Sequence, residues 1–347
     1  MIEAVKDSAK THWVNRAPVS VRPFLQLSRL DRPVGYWLLA LPGWIGLAFA
    51  GLSHGLVWTD LKWAALILIG AIAMRGAGCT YNDIVDQDLD AQVERTALRP
   101  LPAGTVTTKQ AWIWLFVQCA VGLVVLLMLP RLAQIVSLLS IPLVAVYPFM
   151  KRITWFPQVW LGLTFNWAVL VAYAAKTGSL SPALFILYLG LMFWTVGYDT
   201  IYACQDIEDD AFVGIKSTAR RFGGRVKLGV VFCYAVSLTM IVISLQIAYK
   251  IRNSIIFENR VQPYLDNSSS RELLLPGKFD VVSSNSHFLF LALFTILPLS
   301  IHFLWQTKKL EPDNGKSALR LFLSNRWAAF FLIVMILLFA WMVPNSR

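Results

Sequence analysis

Nine stretches of the chain stay apolar for about 20 residues, the length a helix needs to cross a ~30 Å hydrocarbon layer. They fall near residues 34–52, 61–79, 110–129, 132–150, 157–175, 180–202, 228–250, 287–305 and 325–343. The polar positions between them are unevenly spread. Two acidic clusters, Asn82-Asp83-Ile84-Val85-Asp86-Gln87-Asp88-Leu89-Asp90 and the run from Asp199 to Asp210, close the second and the sixth apolar stretch. The pattern predicts an all-α, polytopic integral membrane protein of about nine transmembrane helices, whose two similar halves turn the clusters toward a shared central cavity. Residues 1–33 form a polar segment ahead of a membrane domain spanning 34–347. Within that domain 251–286, rich in Asn and Ser, is the one polar insertion.

Composition strengthens this reading: 57% hydrophobic residues and only 15% charged ones over 347 positions are too apolar for a soluble protein of that length. No apolar core precedes residue 34, so nothing there reads as a cleavable secretory signal, and Glu3 and Asp7 run against a mitochondrial transit peptide. Of the 31 Lys and Arg, 21 lie in the N-terminal segment and in the loops after the second, fourth, sixth and eighth helices. Cation-rich loops face the cytoplasm, which places the N-terminus and both clusters there. The expected home is a bacterial inner membrane with the active site facing the cytoplasm, ahead of the mitochondrial inner membrane. The net charge of +11 is then mostly topological, and no nucleic-acid partner is expected. The four Cys form no CxxC pair and the four His are scattered, so neither a zinc framework nor a histidine-based site is expected.

Continued along the second helix, Asp83, Asp86 and Asp90 are spaced i, i+3, i+7, and Arg75, Asn82 and Asp86 i, i+7, i+11, which puts them on one broad face. Asp199, Asp206 and Asp210 repeat the second spacing, with Tyr202 and Asp209 adjoining. Carboxylates gathered in this way repel one another unless cations neutralise them. Mg²⁺ suits them because it binds a few carboxylates, keeps waters and bridges to phosphate oxygens. Phosphate partners lie on the same side: Lys151 and Arg152 end the fourth helix, Arg99 follows the first cluster, and Lys216 follows the second. A Lys or Arg beside a metal-bound diphosphate stabilises the charge that grows as it leaves. A cation transporter is the reading from another class; it would place its acids near mid-membrane rather than at helix ends.

The chain resembles the UbiA superfamily of intramembrane prenyltransferases, and within it the members that prenylate 4-hydroxybenzoate. The resemblance rests on NDxxDxxxD at 82–90, ERTALRPLPAG at 94–104, YPFMKR at 147–152, YDTxYA at 198–203, DxxxD at 206–210 and GIKST at 214–218. It implies nine helices around a cavity open to the membrane lipid, Mg²⁺ as cofactor, and polyprenyl diphosphate and 4-hydroxybenzoate as substrates in ubiquinone biosynthesis. It further implies that Asp86, Asp90, Asp206 and Asp210 are the principal magnesium carboxylates, with Asn82 and Asp83 assisting. Tyr147, Lys151, Arg75 and Lys216 would hold the diphosphate, and Arg152 or Arg32 the aromatic carboxylate. Other acceptors known to the superfamily, a homogentisate, a naphthoate or haem, stay open at this point. The insertion 251–286 is longer than the corresponding family loop.

Overall fold

The computed structural model describes residues 12–92, 96–205, 207–212, 214–260 and 285–342. Among them are nine helices long and apolar enough to cross a membrane, matching the nine stretches in the sequence. In chain order the helices are α1 (Arg22–Leu27), α2 (Val34–His54), α3 (Thr59–Val85), α4 (Gln87–Asp90), α5 (Thr108–Leu127), α6 (Arg131–Leu138), α7 (Ile141–Ile153), α8 (Pro157–Thr177) and α9 (Pro182–Ala203). There follow α10 (Ile207–Phe212), α11 (Thr218–Phe222), α12 (Val226–Arg260), α13 (Asn285–Lys309) and α14 (Gly315–Met342). α6 and α7 together make one broken span, Arg131–Ile153.

The ends are set by local chemistry. Thr107 and Gln110 form a reciprocal capping box at the start of α5, Ser181 caps α9, and left-handed Gly178 ends α8. In lipid, apolar area gains little by moving from tails to protein, so spans associate through close packing and polar pairs. Gly46 on α2 shows the first: a Cβ there would sit 2.5 Å from the Val169 carbonyl, so α2 and α8 touch backbone to backbone. The second is shown by Asn166 Nδ2 on Thr195 Oγ1 at 2.7 Å and Trp194 Nε1 on Asn325 Oδ1 at 2.9 Å, both buried.

The chain's alternation puts the ends of α3, α7 and α9 and the starts of α5, α8 and α11 at one end of the bundle, hereafter the charged end. At the opposite end Lys176, only 4% exposed, donates to Asp60 Oδ2 at 2.6 Å and to the Gly55 carbonyl at 2.8 Å, tying α8 to the α2–α3 turn. Removing one partner strands a buried charge at a cost of about 3 kcal/mol. Lys176→Met should therefore lower the unfolding temperature in detergent by several degrees while Lys176→Arg lowers it less; equal melting of both variants and wild type would mean the pair contributes nothing.

Two expectations are corrected. The first acidic cluster does not continue the second helix: α3 stops at Val85, Asp86 leaves helical geometry (φ −100°, ψ 7°), and α4 restarts at Gln87. The polar insertion is shorter than 251–286, since α12 runs on through Arg260 and α13 begins at Asn285. At 35 residues α12 is about 52 Å long by the helical rise, well beyond the ~30 Å that must be apolar, so its polar continuation carries no hydropathy signal. Arg252 on that stretch caps the end of α2 through the Leu52 carbonyl at 2.5 Å. Residues 261–284 lie outside the described residues.

Residues 12–33 of the N-terminal segment also fold. A 3-10 turn (Trp13–Arg16) and α1 lead to Leu27, which is buried against Leu101, Val106 and Ala111 in a small second core at the charged end.

Candidate active site

A cavity of about 760 Å³ opens at the charged end and extends between α2, α3, α5, the α6–α7 span and α8. Its charged mouth is built from three segments. The end of α3 brings Asn82 and Asp83, α4 and the loop beyond it bring Asp90 and Arg99, and the end of α7 brings Tyr147 and Lys151. The 214–218 loop is fastened to α7 by backbone, Lys216 N to Lys151 O at 3.0 Å, and by side chain, Lys216 Nζ to Ile153 O at 3.1 Å. Thr218 then bonds to Gln158 Oε1 through its backbone and to Thr200 through its hydroxyl at 2.6 Å, locking α8, α9 and the loop together.

The carboxylates are buried and held by cations. Asp86 is fully buried; its two oxygens take Lys151 Nζ at 2.5 Å and Arg152 Nη2 at 2.8 Å. Asp83, also fully buried, takes Arg29 Nη2 on both oxygens, at 2.6 and 2.9 Å. A single nitrogen, Arg99 Nη1, reaches Asp90 at 2.6 Å and Asp83 at 3.4 Å. Burial works against the charge on Arg29, yet Asp83, helped by Asp31 and Asp90, holds its guanidinium above the ordinary arginine pKa. Arg29 is also the one described non-glycine residue with a positive φ, at 54°, a conformation that persists only where the surroundings impose it.

Deeper in the cavity lies Arg75, an intramembrane cation and therefore expected to face a polar partner or a ligand. Its guanidinium lies 5.3 Å from the Phe165 ring centroid, and its Nε is buried with no hydrogen-bond partner among the described residues. Gly35 makes the room, since a Cβ there would come 2.8 Å from that nitrogen. Asp199 and Tyr147, both lining the cavity, feel the Arg75 charge.

Of the residues singled out from sequence, Asn82, Asp83, Asp90, Arg75, Arg99, Tyr147, Lys151, Lys216, Tyr202 and Arg32 line this one cavity. Asp86 lies just behind the lining, beneath Lys151 and Arg152. Arg152 is the exception: its side chain is 43% exposed, bonds to Asp86 and to the Val85 carbonyl, and is not part of the lining. Asp206 lies outside the described residues, as does the side chain of Asp210 on α10. Sequence reasoning missed Arg29 and placed Asp199 only on the carboxylate face with Asp206 and Asp210, without a role of its own. No spacing marks Arg29, whereas Asp199 had a signal, a carboxylate four residues inside a membrane span. Among the described residues Asp199 has no ion pair within 4 Å.

Whether these residues suit a hard divalent cation is tested by Arg99. One cationic nitrogen, Arg99 Nη1, bridges Asp83 and Asp90, and Asn82 lines the same cavity; these are hard oxygen donors of the kind Mg²⁺ takes, and among the described residues no three acidic, His or Cys side chains form a metal cage by themselves. The donor set fits.

A family model described as "UbiA prenyltransferase family" matches residues 38–252. The chain is 46% identical over 218 residues to 4-hydroxybenzoate polyprenyltransferase, mitochondrial, of Arabidopsis thaliana, covering 62% of this chain and 53% of that protein. It is 47% identical over 217 residues to the Homo sapiens protein of the same name, covering 62% and 57%. A Lithospermum erythrorhizon protein, 4-hydroxybenzoate geranyltransferase 1, is 42% identical over 226 residues, covering 65% and 72%. The chain thus spans about half the length of the mitochondrial relatives it matches. Among solved structures, a UbiA homolog from Aeropyrum pernix superposes with a TM-score of 0.60 at 21% identity, over 87% of this chain and 98% of that one. A UbiA homolog from Archaeoglobus fulgidus bound to GPP and Mg2+ does so at 0.60 and 14%, over 92% and 100%, so the bundle is the same fold.

Proposed function

The chain belongs to the UbiA prenyltransferase family, and we propose that it transfers a polyprenyl group from polyprenyl diphosphate to 4-hydroxybenzoate. The new bond forms at the ring carbon ortho to the hydroxyl, giving an early intermediate of ubiquinone synthesis. The observation that carries this is the polarity of the cavity: acids and cations converge at one end, and the remainder is apolar and reaches into the membrane span. That shape suits a molecule with a strongly anionic head and a greasy tail. The matched relatives carry 4-hydroxybenzoate and prenyl transfer in their names, and one solved relative holds GPP and Mg2+.

We take Asn82, Asp86 and Asp90, with Asp206 and Asp210 from the second cluster, to hold Mg²⁺, which when bound neutralises the diphosphate and its leaving charge. Asp83 assists and also fixes two arginines, Arg29 and Arg99, at the mouth. Lys151 turns from Asp86 to the phosphate oxygens, joined by Lys216 and the Tyr147 hydroxyl. As the C–O bond to diphosphate breaks, an allylic cation is left in an apolar pocket that excludes water. The ring carbon attacks it, and Asp199, which has no ion pair among the described residues, accepts the ring proton. Arg152 points away from the cavity, so we assign the acceptor's carboxylate to Arg75, whose unpartnered Nε and planar fork match it, with Arg32 nearer the mouth.

We place the charged end on the cation-rich side of the membrane, the cytoplasm for a bacterial inner membrane. The relatives named mitochondrial point to the other home the sequence allowed, the mitochondrial inner membrane, where the matrix would take the place of the cytoplasm.

The test is incubation of purified protein in nanodiscs with 4-hydroxybenzoate, a prenyl diphosphate and Mg²⁺, followed by mass analysis. Prenylated 4-hydroxybenzoate is expected, lost with EDTA and restored by Mg²⁺. Product from a homogentisate or naphthoate but not from 4-hydroxybenzoate would overturn the acceptor, and ion flux without substrate would favour a transporter.

A further inference from the structure

The cavity wall beyond Lys151 holds two further donors that no described residue accepts. Gln158, in the first turn of α8, is 5% exposed and lines the cavity. Its amide cannot turn over, because the Thr218 backbone N–H donates to Oε1 at 3.1 Å and only the oxygen accepts. The two N–H groups on Nε2 therefore face the other way. Among the described residues they have no acceptor, yet that nitrogen is not one of the atoms sealed without a partner inside the bundle. For a side chain packed this closely, the space left to it is the cavity. Ser217 lines the cavity one residue before Thr218 and is 3% exposed. Its Oγ accepts from the Arg220 N–H at 3.3 Å, which leaves its own O–H without an acceptor among the described residues.

Unspent donors in a buried wall oppose folding unless something from outside the chain accepts from them. Their position selects what that is. The Lys216 N–H holds the Lys151 carbonyl at 3.0 Å, and the Thr218 N–H holds Gln158. Two residues of chain span at most about 7 Å, so Gln158 and Ser217 belong to the level of Lys151 and Lys216. Arg75 lies deeper: it precedes Asp86, the partner of Lys151, by eleven residues, roughly 16 Å by the helical rise. A ligand at the upper level meets two cations and three N–H or O–H groups with no charge of their own, which suits a polyanion rich in oxygen. The wall is also rigid. The Thr218 hydroxyl bonds to Thr200 Oγ1 at 2.6 Å, and Thr200 donates to the Val196 carbonyl at 2.6 Å, so the loop cannot shift without breaking its hold on α9.

We propose that the Gln158 amide and the Ser217 hydroxyl bind the diphosphate of the prenyl donor, a neutral pair that completes the grip of Lys151 and Lys216. This rests on the prenyl-transfer reading above. Gln158 then does two things with one amide: its oxygen fastens the 214–218 loop, and its nitrogen meets the substrate. The two can be separated, because a carboxylate in the same place keeps the first and reverses the second.

The experiment is Gln158→Glu in nanodiscs, with geranyl diphosphate and 4-hydroxybenzoate at saturating Mg²⁺. The KM for geranyl diphosphate should rise at least about tenfold, with the KM for 4-hydroxybenzoate within about threefold of wild type and the unfolding temperature little changed. Calorimetry with inorganic pyrophosphate and Mg²⁺ should show a matching loss of affinity. Ser217→Ala removes a single hydroxyl and asks the same question should Gln158→Glu fail to fold; its KM for geranyl diphosphate should rise about three- to tenfold. If Gln158 only fastens the loop, Gln158→Glu leaves that KM and the pyrophosphate affinity as they were. Such a result, or an unchanged KM in a folded Ser217→Ala, overturns the proposal, as does a rise confined to the KM for 4-hydroxybenzoate. Wild-type protein that forms no product overturns the prenyl-transfer reading instead, and the pyrophosphate measurement still decides whether the pair binds a diphosphate.

Discussion

Asp86→Asn should lose at least about 10³-fold in turnover at saturating Mg²⁺ while remaining folded, since one buried carboxylate anchors two cations and, under the metal assignment proposed above, is also a hard ligand. The amide keeps the shape of the carboxylate and can still accept from Lys151, so packing changes little. What disappears is the negative charge. Without it Lys151 and Arg152 repel each other at the mouth, and the first cluster loses part of its hold on a divalent ion. Two measurements check this together: steady-state turnover across a Mg²⁺ titration, and thermal unfolding with gel filtration. A variant that unfolds near wild type but turns over at less than a thousandth of its rate supports the assignment. Wild-type turnover at limiting Mg²⁺ would sink it.

Much of the bundle was legible in the sequence because a membrane span advertises itself through length and hydropathy, and all nine stretches became helices. Side-chain geometry at the charged end was less so. Spacing placed Asp83, Asp86 and Asp90 on one helical face, but the helix breaks at Asp86, which turns inward under the end of α7. Arg152 looked suited to the acceptor because it follows Lys151. Consecutive helical residues point about 100° apart, however, so when Lys151 lines the cavity its neighbour does not. Arg29 was invisible for another reason. Its partner Asp83 is 54 residues away, and only the folded segment 22–32 brings the two together.

Arg75 carries the last prediction. An aromatic carboxylate entering a largely apolar cavity requires a fixed cation, and the only choices that line the interior are those whose side chains face it. Arg75 lies in a membrane span, where an unpaired charge is costly, and is oriented by the Phe165 ring and by the space over Gly35. Arg75→Lys keeps the charge but replaces a planar two-donor fork by a single ammonium on a shorter reach. A charge-assisted hydrogen bond contributes about 1.5–3 kcal/mol, so the KM for 4-hydroxybenzoate should rise roughly 10- to 100-fold, with the KM for prenyl diphosphate changed far less. Arg152→Lys, by contrast, retains its pairing with Asp86 from outside the cavity and should leave the acceptor KM within about threefold of wild type. The two variants divide the alternatives. If Arg75→Lys raises both KM values equally, Arg75 serves the diphosphate; if Arg152→Lys alone raises the acceptor KM, the carboxylate sits at the mouth and the ring enters hydroxyl end first.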